Sequence, residues 1–136
     1  MLFVCTANIA RSPYAERRAA HLRAGTDQVE TVFASAGIPG VPGRPMDAAM
    51  VEQLSERGGD ASSHVSRSLT AQIIAQSDLV VTFEFAQRMR ILDAWPDAAA
   101  RVLGLHQLVH ALGSAPSGLA GQELVHAASR ASAPDS

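Results

Sequence analysis

The feature that most constrains the fold is a junction near the start of the chain, where an apolar run leads through a short loop into a helix. Residues 1–4 are all apolar, which is typical of a central strand buried on both faces. Residues 5–12, apart from Ile9, are small or polar. Residues 13–24 have a helical pattern that begins with Pro13, with Ser12 as its expected N-cap, and ends before Gly25. We therefore expect the loop to lie at the carboxyl end of a parallel strand, where open α/β sheets bind ligands.

The remainder of the chain continues to alternate between strand-like and helix-like patterns. We expect further strands at residues 30–36, 78–83 and 101–105, helices at residues 46–57, 84–95, 106–112 and 119–132, and a short helix that ends at residue 75 and is capped by Ser68 or Thr70. Strands that alternate with helices form parallel crossover units, so this pattern predicts a doubly wound α/β sheet. No repeat or linker divides the chain, and we expect residues 1–136 to form a single domain.

Composition excludes several classes of function. The formal net charge is −2 and aromatic residues make up 4% of the chain, whereas nucleic-acid-binding proteins usually have a basic surface and often stacking aromatic side chains. No apolar run approaches the roughly 18 to 20 residues that cross a bilayer, and the apolar start is too short for a signal peptide. The single cysteine fits a reducing compartment. We therefore expect a cytoplasmic protein with no nucleic-acid or membrane partner.

The loop has the composition of a phosphate-binding nest. Its small residues would let the backbone wrap closely around a ligand, while the N–H groups of the loop and of the helix that follows favour a dianion such as phosphate. The sequence of this loop is Cys5, Thr6, Ala7, Asn8, Ile9, Ala10, Arg11 and Ser12.

Three residues of the loop suggest a reaction. The field of the nest favours the thiolate form of Cys5, the planar fork of Arg11 suits two phosphate oxygens at once, and the Ser12 hydroxyl is placed to donate to the sulfur. Together they predict in-line attack of sulfur on phosphorus through a cysteinyl-phosphate intermediate. No metal or cofactor is expected, because the loop and the arginine supply the positive charge. A cysteine beside a buried strand is often only a small core residue, but the order of strand, small-residue loop, Arg-Ser-Pro and helix favours catalysis.

These residues resemble the low-molecular-weight protein tyrosine phosphatase family, in a bacterial, actinobacterial-like branch. Residues 4–13 are similar to its loop pattern V-C-x-G-N-I-C-R-S-P, and residues 35–37 to its Ser-Ala-Gly turn. Residues 63–70 are similar to its S-x-x-A-R-x-L-T segment, and residues 78–81 to a strand of the family. The resemblance runs from residue 1 to about residue 110. It implies a three-layer fold with a four-stranded parallel sheet and the phosphate loop after the first strand.

The resemblance also implies an activity and a role for particular residues. The activity is hydrolysis of phosphomonoesters, most of all of phosphotyrosine in proteins, so the partner is a phosphorylated protein or a small phosphomonoester and inorganic phosphate is the product. The implied roles are Cys5 as nucleophile, Arg11 as phosphate clamp, Asn8, Ser12, Ser35 and His64 as a hydrogen-bond network that holds the loop, and Ile9 and Val41 as walls of the pocket mouth.

The chain departs from the family pattern in three places. Ala7 stands where the family prefers glycine, and Ala10 where many relatives have a second cysteine. The general acid of the family is an aspartate in a late D-P-Y loop, and this sequence has no Asp-Pro pair; Asp135 lies near the expected position without matching the motif. We expect that the sequence lacks this loop or ends before it, and the alternative is a slow or inactive phosphatase.

Two other functions stay open. A non-catalytic phosphoryl-binding module would need the loop but not the acid. Arsenate reduction is less favoured, because thioredoxin-coupled reductases need two more cysteines and the other kind has glutamine after Arg-Ser. We expect no metal site at His106, His110 or His126, because no carboxylate or cysteine stands at ligand spacing from them.

Overall fold

The computed structural model describes residues 1–24 and 31–114. Its centre is a sheet of four parallel strands in the order β2-β1-β3-β4. The strands are β1 (Leu2–Cys5), β2 (Ala34–Gly37), β3 (Val80–Thr82) and β4 (Val102–Gly104). This confirms the expected four-stranded parallel sheet. β2 is shorter than residues 30–36 because it pairs only along the four residues of β1.

Five α-helices surround the sheet in the described residues. They are α1 (Arg11–Ala24), α2 (Ala48–Glu56), α3 (Ala71–Ala75), α4 (Phe85–Ala94) and α5 (Leu105–Ser114). A 3-10 helix, Pro96–Arg101, was not expected from the sequence. The helix expected at residues 119–132 lies outside the described residues. Within the described part of the chain, no helix has the length and apolar character needed to cross a membrane.

The two faces of the sheet bury separate apolar clusters. Leu2 of β1 packs with Ile74 of α3 and Ile91 of α4 on one face. Phe3, the next residue along β1, points to the other face and packs with Leu108 of α5 and, at the edge of the cluster, Ala15 of α1. Successive residues of a strand face opposite sides, so a strand that is apolar at every position requires a helical layer on each side. The three-layer arrangement is therefore confirmed.

α1 starts earlier than expected, whereas α3 starts at one of its two expected caps. α1 begins at Arg11 rather than at Pro13, because the Ser12 side chain is buried against Cys5 instead of capping the helix. α3 is capped by Thr70, whose hydroxyl accepts from Ile73 N at 3.2 Å.

The strand order places a crevice beside β1. β2 lies on one side of β1, whereas β3 and β4 lie on the other, so the order of the strands reverses between β1 and β3. Ligands of open α/β sheets bind at such a reversal, outside the carboxyl ends of the strands. The loop after β1 and the start of α4 after β3 therefore meet at one place.

Candidate active site

The backbone of the loop after β1 is turned so that its carbonyl groups face outward. Six consecutive carbonyl oxygens, those of residues 5–10, accept hydrogen bonds from the surrounding chain. In order, the donors are Ile38 N (2.9 Å), Gly40 N (2.8 Å), Val41 N (3.1 Å), His64 Nε2 (2.9 Å), Asp47 N (2.8 Å) and Tyr14 N (3.1 Å). The C=O and N–H of a trans peptide point in opposite directions, so the N–H groups of residues 6–11 face the inside of the loop. Such a ring of inward amides is an anion-binding nest.

The Cys5 sulfur lies at the base of this nest, and the residue as a whole is 3% exposed. The backbone N–H of Asn8 donates to Sγ at 3.3 Å, and the Ser12 hydroxyl oxygen lies 2.9 Å from Sγ. Asn8 Nδ2 donates to Ser12 Oγ at 2.9 Å, so the hydroxyl's own proton is available for the sulfur; its other acceptor, Ala36 O, is farther away at 3.4 Å. Two hydrogen bonds thus fix the position of the sulfur at the base of the loop.

Asn8 is the centre of the network around the loop. Its backbone has a left-handed φ of 65°, a conformation that asparagine tolerates better than most residues. Its Oδ1 accepts from Arg67 N at 2.9 Å. Its carbonyl oxygen can only accept, so His64, which is buried, must carry a proton on Nε2. Because the left-handed residue of the loop is Asn8 and not Ala7, alanine in the family's glycine position causes no backbone strain.

We expect Asn8→Ala to lower the free energy of unfolding by about 3 kcal/mol, because it leaves the Arg67 N–H without its acceptor and the buried Ser12 hydroxyl without its donor. It also puts a Cβ-bearing residue with no local hydrogen bond in the left-handed region. Asn8→Gly loses the same side chain but adopts this backbone without steric cost, so it should be about 1 kcal/mol more stable than the alanine variant. Urea unfolding of the two variants measures the difference. Equal losses in both variants would contradict a strained backbone at this position.

The Ser-Ala-Gly segment forms the last three residues of β2 rather than a turn, and it lies directly against the loop. A Cβ at Gly37 would stand 2.8 Å from the carbonyl oxygen of Thr6 and 2.9 Å from the carbonyl carbon of Ala7, both closer than real Cβ contacts come. Glycine is therefore required here for close approach of two backbones. This close approach explains why the third residue of the Ser-Ala-Gly motif is glycine.

The Ser35 hydroxyl bonds to α1 instead of the loop, which corrects its expected part in the network. Its hydroxyl donates to Glu16 Oε1 at 2.7 Å, on the side of β2 that faces α1. Its carbonyl oxygen accepts from Arg67 Nε at 2.9 Å, and Arg67 in turn binds Asn8. Ser35 is therefore joined to the loop through Arg67.

The two expected wall residues lie beside the loop with different exposure. Ile9 is half-buried within it, whereas Val41 is 41% exposed and is joined to the loop by its N–H bond to Ala7. The Ser66 hydroxyl donates to the Val41 carbonyl and accepts from Arg44 N. Ser66, which sequence reasoning missed, thus fixes the segment that carries Val41.

Arg11, the first residue of α1, extends toward the start of α4. Its Nη2 lies 2.8 Å from Glu84 Oε1, and the side chains are 43% and 55% exposed. Its guanidinium carbon lies 5.9 Å from the centre of the Phe83 ring, within the range of a cation–π contact. The ion pair with Glu84 was not foreseen from the sequence.

A buried glutamine joins this acidic residue to the loop. Gln87 Oε1 accepts from the backbone N–H groups of Phe83 and Glu84, both at 2.9 Å. Its Nε2 donates to Thr6 Oγ1 at 3.1 Å and to Glu84 Oε1 at 3.3 Å. Glu84, which is separated from the end of β3 by one residue, and Gln87 have the spacing of a capping box at the start of α4. This spacing is the signal that could have drawn attention to both residues.

The general acid is not among these contacts. Asp135, the nearest match by position, lies outside the described residues. Of the carboxylates in residues 1–24 and 31–114, Glu84 contacts a side chain of the loop. In the same residues, no three histidine, cysteine or acidic side chains are grouped so as to hold a metal ion.

Comparison with known proteins places this geometry in a family. The family model of low molecular weight phosphotyrosine protein phosphatases matches residues 1–119. EpsP of Ralstonia nicotianae, a probable low molecular weight protein-tyrosine-phosphatase, is 33% identical over 108 residues, which are 79% of this chain and 71% of the relative.

Two solved structures are also similar to this chain. The low molecular weight protein tyrosine phosphatase from T. tengcongensis has a TM-score of 0.69 at 29% identity, over 96% of this chain and 90% of that one. The YwlE arginine phosphatase from Geobacillus stearothermophilus has a TM-score of 0.71 at 25% identity, over 95% and 82%. The fold, the loop and these likenesses agree that the chain belongs to the low molecular weight phosphotyrosine protein phosphatase family.

Proposed function

We propose that this protein hydrolyses phosphomonoesters, with phosphotyrosine in proteins as its main substrate, through a cysteinyl-phosphate intermediate on Cys5. The observation that supports it is the ring of inward N–H groups around a hydrogen-bonded sulfur. A phosphoryl dianion fits this ring because each of its oxygens can accept from several amides, with the helix dipole of α1 adding positive potential.

In the first step the substrate's phosphoryl oxygens occupy the ring, with Arg11 binding from the rim. The Cys5 sulfur attacks phosphorus in line with the leaving oxygen, so the S–P bond forms as the P–O bond to the substrate breaks. The leaving oxygen takes a proton from a general acid or from water. The positive charge that this step requires comes from the amides and the guanidinium.

In the second step a water oxygen attacks phosphorus and the S–P bond breaks. The water's proton passes to a base or to solvent, inorganic phosphate is released, and the sulfur leaves as a thiolate. The Ser12 hydroxyl and the Asn8 N–H, which already contact Sγ, stabilise this leaving group. Because the cycle begins and ends with a thiolate, it requires reducing conditions, which favours a cytoplasmic location.

The choice of phosphotyrosine is supported by the family and by its relatives. The EpsP relative is named for activity on protein tyrosine. Because the YwlE relative is named as an arginine phosphatase on the same fold, the fold alone does not select the substrate. The aliphatic side chains of Ile9 and Val41 at the mouth suit an apolar ring better than a charged guanidinium.

The test is a comparison of substrates with the full chain. We expect hydrolysis of p-nitrophenyl phosphate and of a phosphotyrosine peptide, inhibited by vanadate and by inorganic phosphate. The same peptide with phosphoserine or phosphoarginine should be hydrolysed at least about tenfold more slowly, because a shorter or charged side chain loses the contacts of the mouth. Phosphate binding without turnover of any substrate would contradict the proposal and indicate a phosphoryl-binding module.

A further inference from the structure

We propose that Glu84 is a positioning residue for Arg11, and that it thereby sets the affinity of the loop for phosphoryl groups. The inference rests on the proposed function, since it assigns Arg11 to the phosphoryl group. Glu84 comes from the start of α4, after β3, and Arg11 from the start of α1, after β1. The two elements meet because β1 and β3 are neighbours in the sheet.

Glu84 is itself held in place. Its Oε1 accepts both from Arg11 Nη2 and from the amide of Gln87. Gln87 is 3% exposed, and the two backbone N–H groups that donate to its Oε1 fix the amide so that its Nε2 faces Thr6 and Glu84. A buried amide with this many partners has one orientation, so the carboxylate that binds Arg11 has a defined place as well.

The contact leaves Arg11 able to bind phosphate. A guanidinium has five N–H donors, and the ion pair with Glu84 joins Nη2 to a single carboxylate oxygen. The Phe83 ring contacts the guanidinium at the same time. An arginine side chain that is 43% exposed would otherwise sample many rotamers, and their loss on ligand binding would weaken affinity. The contact with Glu84 already restricts these rotamers in the free protein, so less side-chain entropy is lost when the ligand binds.

Two replacements of Glu84 separate its hydrogen bond from its charge. Glu84→Ala removes both, and we expect the dissociation constant for inorganic phosphate and the KM for p-nitrophenyl phosphate to rise together by about two- to fivefold, the range of an exposed ion pair. Glu84→Gln keeps an oxygen acceptor for Nη2, so both constants should stay within about twofold of those of the unmodified protein. Phosphate binding is followed by phosphorus NMR titration, which requires no turnover.

A third variant and a control complete the test. Glu84→Asp keeps the charge but shortens the reach, so it should behave as Glu84→Ala; it also replaces that variant if the alanine substitution unfolds α4. Asp93→Ala removes an exposed negative charge from the same helix and should leave both constants unchanged.

A higher affinity for phosphate in a Glu84 variant would overturn the proposal. If Glu84→Ala or Glu84→Gln binds phosphate more tightly than the unmodified protein, the carboxylate competes with phosphate for Arg11 instead of positioning it. An unchanged affinity in Glu84→Ala would also overturn it. Failure of the proposed function is a separate result, because it would show as no hydrolysis by the unmodified protein whatever the phosphate titration gives.

Discussion

Cys5→Ser is expected to reduce hydrolysis of p-nitrophenyl phosphate by at least about 10⁴-fold, which is the scale on which loss of an enzyme nucleophile acts. A serine hydroxyl is neutral at pH 7, whereas the nest is built around a sulfur that accepts two hydrogen bonds. Initial rates measure the loss. Intact mass after a rapid quench should show a phosphorylated form of the unmodified protein.

Phosphate binding by Cys5→Ser serves as the control that this variant is folded. The inward N–H groups do not depend on the sulfur, so Cys5→Ser should still bind inorganic phosphate with an affinity within a few fold of the original. Residual turnover above about 1% would contradict Cys5 as nucleophile, since a bystander cysteine tolerates serine far better.

Arg11→Lys is expected to lower kcat/KM by about 10²- to 10³-fold, similar to the loss of one donor from an oxyanion site. Lysine keeps the charge but loses the planar fork that binds two phosphoryl oxygens, so the loss reports geometry rather than net charge. Steady-state kinetics with p-nitrophenyl phosphate measure it. Arg90→Lys, an exposed position on α4, should change nothing. Activity of Arg11→Lys above about one third of the original would show that the arginine does not bind the phosphoryl group.

The sequence was sufficient to predict the fold and the place of the loop after β1. Apolar continuity of β1 predicted a buried parallel strand, and the small residues after it predicted a tight loop at the carboxyl end. Both inferences need only residues that are adjacent in the chain. The start of α1 was misplaced because Ser12 could be read as a helix cap, and only the structure shows its hydroxyl turned to Cys5.

Contacts between distant segments could not be predicted in the same way. The contact of Glu84 with Arg11 depends on β3 lying next to β1, and the sequence pattern does not give strand order. The role expected for Ser35 came from the family resemblance and not from its position in a strand. The side chain of a strand residue faces one layer of the fold, and that of Ser35 faces Glu16.

The outward carbonyls of the loop have a consequence for how this site can change over evolutionary time. Because main-chain amides line the inside of the loop, side chains such as those of Ala7 and Ala10 can be exchanged for other small groups while the electrostatic pattern of the loop persists. Gly37 has no such freedom, since any added carbon would push the neighbouring segment out of the path that orients those amides. Sequence drift should therefore be greater at positions 7 and 10 of the loop than at the glycine that stands behind it.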